Sequence, residues 1–297
     1  MRSIALALFT CLAFAPALFA EITGKLVEYK QGETTFVGFL AWDTAVATPA
    51  TPRPGVLVCP EWWGKNEYAH QRALQLASLG YVAFAIDLYG KDAGGKVRTT
   101  TDPRQAAQWS GEVMQNPALV RERTTAALAA FIGEKIVDAS NIAAIGYCMG
   151  GTVAMELART GADINAVVTF HASKVSAAVP ADNTKIKASI LVCHGADDAF
   201  VQPGELDTFQ KQMKDAGVDY QLAIYSGAVH SFTNKDADTF EIDGVKYNAN
   251  ADKRSWEHMR SLFREKIAGE RTPAAKPAEA TTPPAPTVPT KETDKKR

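Results

Sequence analysis

The sequence predicts an α/β fold: a mostly parallel central sheet with helices on both faces and an N-terminal antiparallel hairpin. Three observations carry this. Six short apolar runs, at 55–59, 81–86, 142–145, 166–170, 189–193 and 220–225, alternate with stretches of helical periodicity, as buried parallel strands do when helices connect them. Ahead of them, 22–29 and 35–42 alternate apolar and polar residues around Gln31-Gly32-Glu33, the pattern of a hairpin with one exposed face. Residues able to do chemistry also fall at the carboxyl ends of the runs, where open α/β sheets collect ligands and catalytic groups.

In chain order, the hairpin is followed by a Pro/Ala/Thr loop at 44–54 and the first buried strand at 55–59. Helices are expected at 68–79, 102–115, 119–131, 151–159, 204–216 and 252–266, with Gly80, Gly161 and Gly217 ending three of them. No internal repeat is present. One domain over 21–270 accounts for all of this.

The two ends read differently. Met1-Arg2, an apolar run over 4–14 and the small residues of Ala15-Pro16-Ala17 and Leu18-Phe19-Ala20 make 1–20 a secretory signal peptide. The run is too short to span a bilayer, and no other segment approaches the roughly 18 to 20 apolar residues required. The mature chain is therefore expected without a membrane span, periplasmic or secreted. Residues 271–297 hold six of the fifteen prolines, and Val288 is their one large apolar residue; the segment reads as a disordered Pro/Ala/Thr/Lys tail.

A net charge of −1 with no basic run in the folded part argues against nucleic acid as a partner. Without the leader, three cysteines remain, Cys59, Cys148 and Cys193, so at least one thiol is unpaired. Cys59 and Cys193 lie near strand ends and are read as buried thiols rather than a pair, since nothing resembles a disulfide framework.

Cys148 stands apart. Gly146-Tyr147-Cys148-Met149-Gly150-Gly151 fits Gly-x-Cys-x-Gly, the thiol form of the sharp strand-to-helix turn that exposes a nucleophile, with a buried run before it and a small-residue helix after it. A buried cysteine filling a Gly-rich turn is the alternative. The strand ending at Cys193 leads into Gly195-Ala196-Asp197-Asp198-Ala199-Phe200-Val201, and the one ending at Tyr225 into Gly227-Ala228-Val229-His230-Ser231-Phe232. Nucleophile, acid and histidine thus follow in the order Cys, Asp, His. A free thiol of pKa about 8.5 is mostly protonated at neutral pH and needs a base; His230 suits that role, with a carboxylate to hold its tautomer. Either aspartate satisfies the chemistry, and the Gly-x-x-Asp-x-x-Val spacing selects Asp198. His171 and His194 also sit at strand ends, where a structural role is favoured for both; His70 and His258 fall in helices and receive none.

Together with Pro60-Glu61-Trp62-Trp63-Gly64 and Asp87-Leu88-Tyr89-Gly90, these motifs resemble the dienelactone hydrolase family over most of 55–265. The resemblance implies an α/β-hydrolase fold and a Cys148-His230-Asp198 triad. It further implies that Glu61 contacts the resting thiol and that the backbone N–H groups of Trp62 and Met149 form the oxyanion hole. A carboxylate beside a thiol disfavours the thiolate, which fits such a role. One departure bears on substrate. Where family members acting on dienelactone carry arginines that hold the substrate carboxylate, this chain has Gly90-Lys91 and Thr233-Asn234; Lys91 is a candidate cation and Asn234 is not.

The reading is a hydrolase of a small ester or lactone acting through a thioester acyl-enzyme, with no cofactor, no metal and a small-molecule substrate as its partner; a monomer is expected. The alternatives are a non-catalytic ligand-binding protein and a redox-sensing protein on the same fold.

Overall fold

The computed structural model describes residues 21–269. Its eight strands are β1 (Ile22–Gln31), β2 (Thr34–Asp43), β3 (Arg53–Cys59), β4 (Val82–Ala85), β5 (Val137–Tyr147), β6 (Ala166–Phe170), β7 (Ser189–Gly195) and β8 (Tyr220–Tyr225), joined in the order β1-β2-β4-β3-β5-β6-β7-β8. The β1–β2 and β2–β4 pairs are antiparallel and all others parallel. The expected mostly parallel sheet and N-terminal hairpin are both present.

Six helices cover the sheet: α1 (Glu67–Ser78), α2 (Pro103–Met114), α3 (Pro117–Ile132), α4 (Met149–Arg159), α5 (Glu205–Ala216) and α6 (Ala249–Lys266). The two-residue period of the strands divides the core. Leu57, Ala144, Val167 and Val192 face α3, α4 and α5 through Phe131, Val153 and Phe209, whereas Val58, Ile145, Val168 and Leu191 face α1 and α6 through Leu76 and Phe263.

Helix starts differ from expectation where a cap decides them. Asn66, Asn116 and Asn248 accept from the backbone N–H of Ala69, Leu119 and Ala251, so α1, α3 and α6 begin one to three residues early, α3 with Pro117 in its first turn. Strand β5 also begins before 142. Val137 and Asp138 pair with Arg53 and Pro54, the register then jumps so that Gly55 faces Ile142, and Asp138 gathers the Ser140 N–H and the Asn141 amide at 3.0 and 2.7 Å. The leader 1–20 and tail 271–297 lie outside the described residues.

Candidate active site

The parallel strands β3 to β8 all point their carboxyl ends to one edge, and the candidate residues are delivered there. Cys148 occupies the single position between β5 and α4, at φ 53° and ψ −120°. The two glycines permit this turn: a Cβ on Gly146 would overlap the Gly150 carbonyl, and one on Gly150 would overlap the Cys59 carbonyl. Met149 is the first residue of α4, so its N–H has no acceptor within the helix and points out of the helix N-terminus. The Cys148 N–H is itself held by Phe170 O at 3.0 Å and His171 Nδ1 at 3.2 Å.

His230 arrives on the segment after β8. Its N–H donates to Gly244 O and its carbonyl accepts from Lys246 N–H, both at 3.1 Å, which stitches the loop to the chain's return. His230 Nδ1 lies 2.9 Å from Asp198 Oδ2, with the carboxylate side chain fully buried. The other oxygen, Asp198 Oδ1, accepts from Phe200 N–H at 2.9 Å. Asp197 is exposed. Burial opposes a charge on the His230 imidazole, but the neighbouring Cys148 sulfur and the Asp198 carboxylate outweigh it and raise its pKa to about 10.

Glu61 is buried beneath the same loop. Its carboxylate accepts from Ser231 Oγ at 3.2 Å and Asn234 Nδ2 at 2.8 Å and is thereby anchored to the His230 segment. Ser231 stands at φ 55°, and the turn built there aims Asn234 inward at Glu61. Burial pushes the Glu61 carboxyl above its ordinary range, while Asn234, His230 and Ser231 pull it back. The carbonyl of the neighbouring Trp62 accepts from Tyr89 Oη at 2.7 Å. Among the described residues, the N–H groups of Trp62 and Met149 meet no backbone acceptor, so both remain able to donate.

Cys148, His230, Trp62 and Met149 border one cavity of about 480 Å³, walled largely by apolar side chains such as Trp63, Phe200 and Phe240. Lys91 does not reach it. That side chain is ion-paired with Glu28 on the hairpin, and Asn234 is taken by Glu61. Among the described residues, Lys174 is the one Lys or Arg on the cavity wall. Cys59 and Cys193 are free, buried thiols, pushed up to about 12 by burial. No group of three His, Cys, Asp or Glu among the described residues is arranged to hold a metal ion, and no described helix is long and apolar enough to cross a membrane.

Sequence reasoning missed Asn234 as a partner of Glu61, Tyr89 as a donor to the Trp62 carbonyl, and the contact of His171 with the Cys148 amide. For His171 a signal existed, a histidine immediately after a strand adjacent to β5. For Asn234 none did, since only the positive φ at Ser231 turns it inward.

Comparison with known proteins adds to this geometry. The profile of the dienelactone hydrolase family matches residues 42–267. Among solved structures, the dienelactone hydrolase-like promiscuous phosphotriesterase P91, from metagenomic libraries, is similar at 38% identity and a TM-score of 0.78, covering 84% of this chain and 100% of its own. A structure named m3DLH is similar at 39% identity and a TM-score of 0.77, covering 83% and 99%. A protein of Aquifex aeolicus (strain VF5) carrying the name carboxymethylenebutenolidase is 27% identical over 217 residues, 71% of this chain and 88% of that protein.

Proposed function

Since the chain belongs to the dienelactone hydrolase family and is a carboxylic ester hydrolase, we propose that it opens a small, uncharged ester or lactone by way of a thioester on Cys148. The observation that carries this reading is the Cys148–His230–Asp198 array on the wall of an apolar cavity, with the Asp198–His230 contact at 2.9 Å.

In the proposed course, the Cys148 thiol gives its proton to His230 Nε2, the sulfur attacks the carbonyl carbon and the C=O electron pair moves onto oxygen. The Trp62 and Met149 N–H groups donate to that oxyanion. Collapse of the tetrahedral adduct re-forms the carbonyl and expels the alkoxide, which takes the Nε2 proton of the His230 imidazolium. Neutral His230 then removes a proton from water, the hydroxide adds to the thioester, and the sulfur leaves as thiolate beside the re-formed imidazolium. Asp198 holds Nδ1–H throughout and stabilises the charged ring. Glu61, fixed by Ser231 and Asn234, braces the loop that carries His230.

Among the described residues Lys174 is the one Lys or Arg on the cavity wall, so a carboxylate there would meet a single ammonium and no bidentate arginine, which supports a neutral substrate. The leader-like residues 1–20 support export, and we take the exported protein to act as a monomer.

The test is hydrolysis of short-chain aryl esters and uncharged lactones by the purified protein beside Cys148→Ala, under reducing conditions. A neutral aryl dialkyl phosphate belongs in the panel, since the relative P91 is described as a phosphotriesterase and the wall here presents Trp62, Trp63 and Phe200. Turnover is expected to vanish in Cys148→Ala while the fold is kept; undiminished turnover would overturn the thiol mechanism.

A further inference from the structure

His171 is a buried histidine that the proposed chemistry does not use, yet it touches both halves of the site. It directly follows β6, between the strand that delivers Cys148 and the one that leads to Asp198, and its backbone N–H is fixed to Cys193 O at 2.9 Å. The residue adopts φ 42°, a left-handed conformation that costs an L-residue of order 1 kcal/mol or more and persists where surrounding contacts impose it.

Those contacts define its protonation. Cys148 N–H donates to His171 Nδ1 at 3.2 Å, so Nδ1 presents its lone pair and the ring proton sits on Nε2. Nε2–H then donates to Thr233 Oγ1 at 2.7 Å. Burial, with smaller contributions from His230 and Arg72, holds the imidazole well below its ordinary pKa, so the neutral tautomer persists. The receiving loop is braced from its other side: the Thr233 hydroxyl meets Tyr68 Oη at 2.6 Å and its carbonyl accepts from Arg72 Nη2 at 2.6 Å. Arg72 is paired with Asp252 at 2.7 Å and lies over the Tyr68 and Trp256 rings. The His171 ring also stands edge-on to those of His230 and Phe232, with centroids 5.4 and 5.2 Å apart.

We propose that His171 is a positioning residue: as the neutral Nε2–H tautomer it bridges the Cys148 amide to the Thr233 hydroxyl and so fixes how far His230 stands from the sulfur. Asp198 orients the His230 ring and cannot do this, because it holds only the Nδ1 side. Cys148 and His230 sit on loops after β5 and β8, with β6 and β7 between them, and the His171–Thr233 bond is the direct tie between the two. The inference rests on the reading of Cys148 and His230 as nucleophile and base.

Three variants separate its parts. Thr233→Val removes the acceptor with little change of shape. His171→Asn keeps an acceptor near the Cys148 N–H and suits positive φ but does not reach Thr233; His171→Phe removes both bonds. For each, folding is checked by melting temperature, kcat and KM are measured with an aryl ester, and Cys148 alkylation by iodoacetamide is followed against pH.

Loss of one such bond is expected to lower kcat about tenfold in Thr233→Val and His171→Asn, with KM within about twofold. Free drift of the pair in His171→Phe is expected to cost about a hundredfold. In all three the midpoint of the alkylation profile should move to higher pH, because His230 no longer stabilises the thiolate; loss of folded protein alone would lower amplitudes and leave the midpoint in place. Folded Thr233→Val and His171→Asn with parental kcat and an unmoved midpoint would overturn the inference. If Cys148→Ala and His230→Ala are inactive in the same series, the failure belongs to His171 alone; if either stays active, the underlying reading fails.

Discussion

Replacing Asp198 by Asn is the sharpest test of the acid. Each carboxylate oxygen has one donor: Oδ1 takes Phe200 N–H and Oδ2 takes His230 Nδ1–H, both at 2.9 Å. An amide cannot serve both. If its oxygen stays on Phe200, its NH2 faces Nδ1 and forces His230 into the Nε2–H tautomer, and an imidazolium there meets donor against donor. The lost interaction is a charge-assisted hydrogen bond at a site where the side chains of His230 and Asp198 are 6% and 0% exposed. Losing that bond and placing two donors in opposition should together cost about 3 to 5 kcal/mol. At about 1.4 kcal/mol per factor of ten, kcat/KM should fall about 10²- to 10⁴-fold. The assay is steady-state hydrolysis of an aryl ester by Asp198→Asn beside Asp197→Asn, whose parent side chain is exposed and whose loss should be under about twofold. A fall of less than about fivefold in Asp198→Asn, or an equal fall in Asp197→Asn, would refute the reasoning.

Other consequences follow from the same geometry. With the His230 pKa raised to about 10, the proton needed by the leaving group stays in place across neutral pH, so kcat/KM should hold up to about pH 10 and decline above it; a basic limb near pH 7 would show that the sulfur and Asp198 do not sustain the imidazolium. Asn234→Ala strips Glu61 Oε2 of its 2.8 Å donor, leaving a buried acceptor at a cost of about 1 to 3 kcal/mol, and calorimetry should register a drop of about 2 to 4 °C for each kcal/mol; an unchanged melting temperature would mean that the carboxylate does not depend on this amide. Between two aryl esters of equal size, one neutral and one with a terminal carboxylate on the acyl chain, the neutral one should have a kcat/KM at least about tenfold higher, and a preference for the anion would show that Lys174, on the cavity wall, serves as its counter-charge.

Much of this site was legible because its signals are local or ordered along the chain. Gly146 and Gly150 flank Cys148 at fixed spacing, and steric overlap leaves few other uses for that pattern. The order Cys148, Asp198, His230 coincides with three apolar runs ending just before each residue or within a few residues of it, and parallel strands necessarily bring such ends to one edge. The choice of Asp198 over Asp197 came from spacing, and the structure buries Asp198 against His230 while leaving Asp197 in solvent. What stayed illegible depends on side-chain direction across loops. For Glu61 the sequence carries no signal of the two donors two and five residues along from Val229, Ser231 and Asn234, that tie it to the histidine loop. Helix starts were misread where Asn66, Asn116 and Asn248 cap ahead of the first periodic apolar residue. The early start of β5 was hidden because polar Asp138, Ser140 and Asn141 interrupt the apolar run.

The backbone itself supports treating these residues as one device. Among the described residues, the non-glycine positions with positive φ are Cys148, His171, Ser231 and Glu241. The first three lie in one connected set: the Cys148 amide donates to His171, His171 to Thr233, and Ser231, two residues before Thr233, to Glu61. Left-handed conformations at side-chain-bearing residues are unfavourable alone and survive where several contacts impose them together. The Cys148 turn is imposed by the close approach of Gly146 to Gly150 and of Gly150 to Cys59. The His171 conformation is imposed by its three hydrogen bonds, and that of Ser231 by the Glu61 carboxylate and the 2.9 Å bond from Asn234 N–H to its carbonyl. A sequence under no demand at this edge would relax such positions to glycine or to ordinary turns. Their concentration around the Cys148 sulfur and the His230 ring is what the proposed mechanism requires, since a nucleophile and base separated by two intervening strands must be held in a single register.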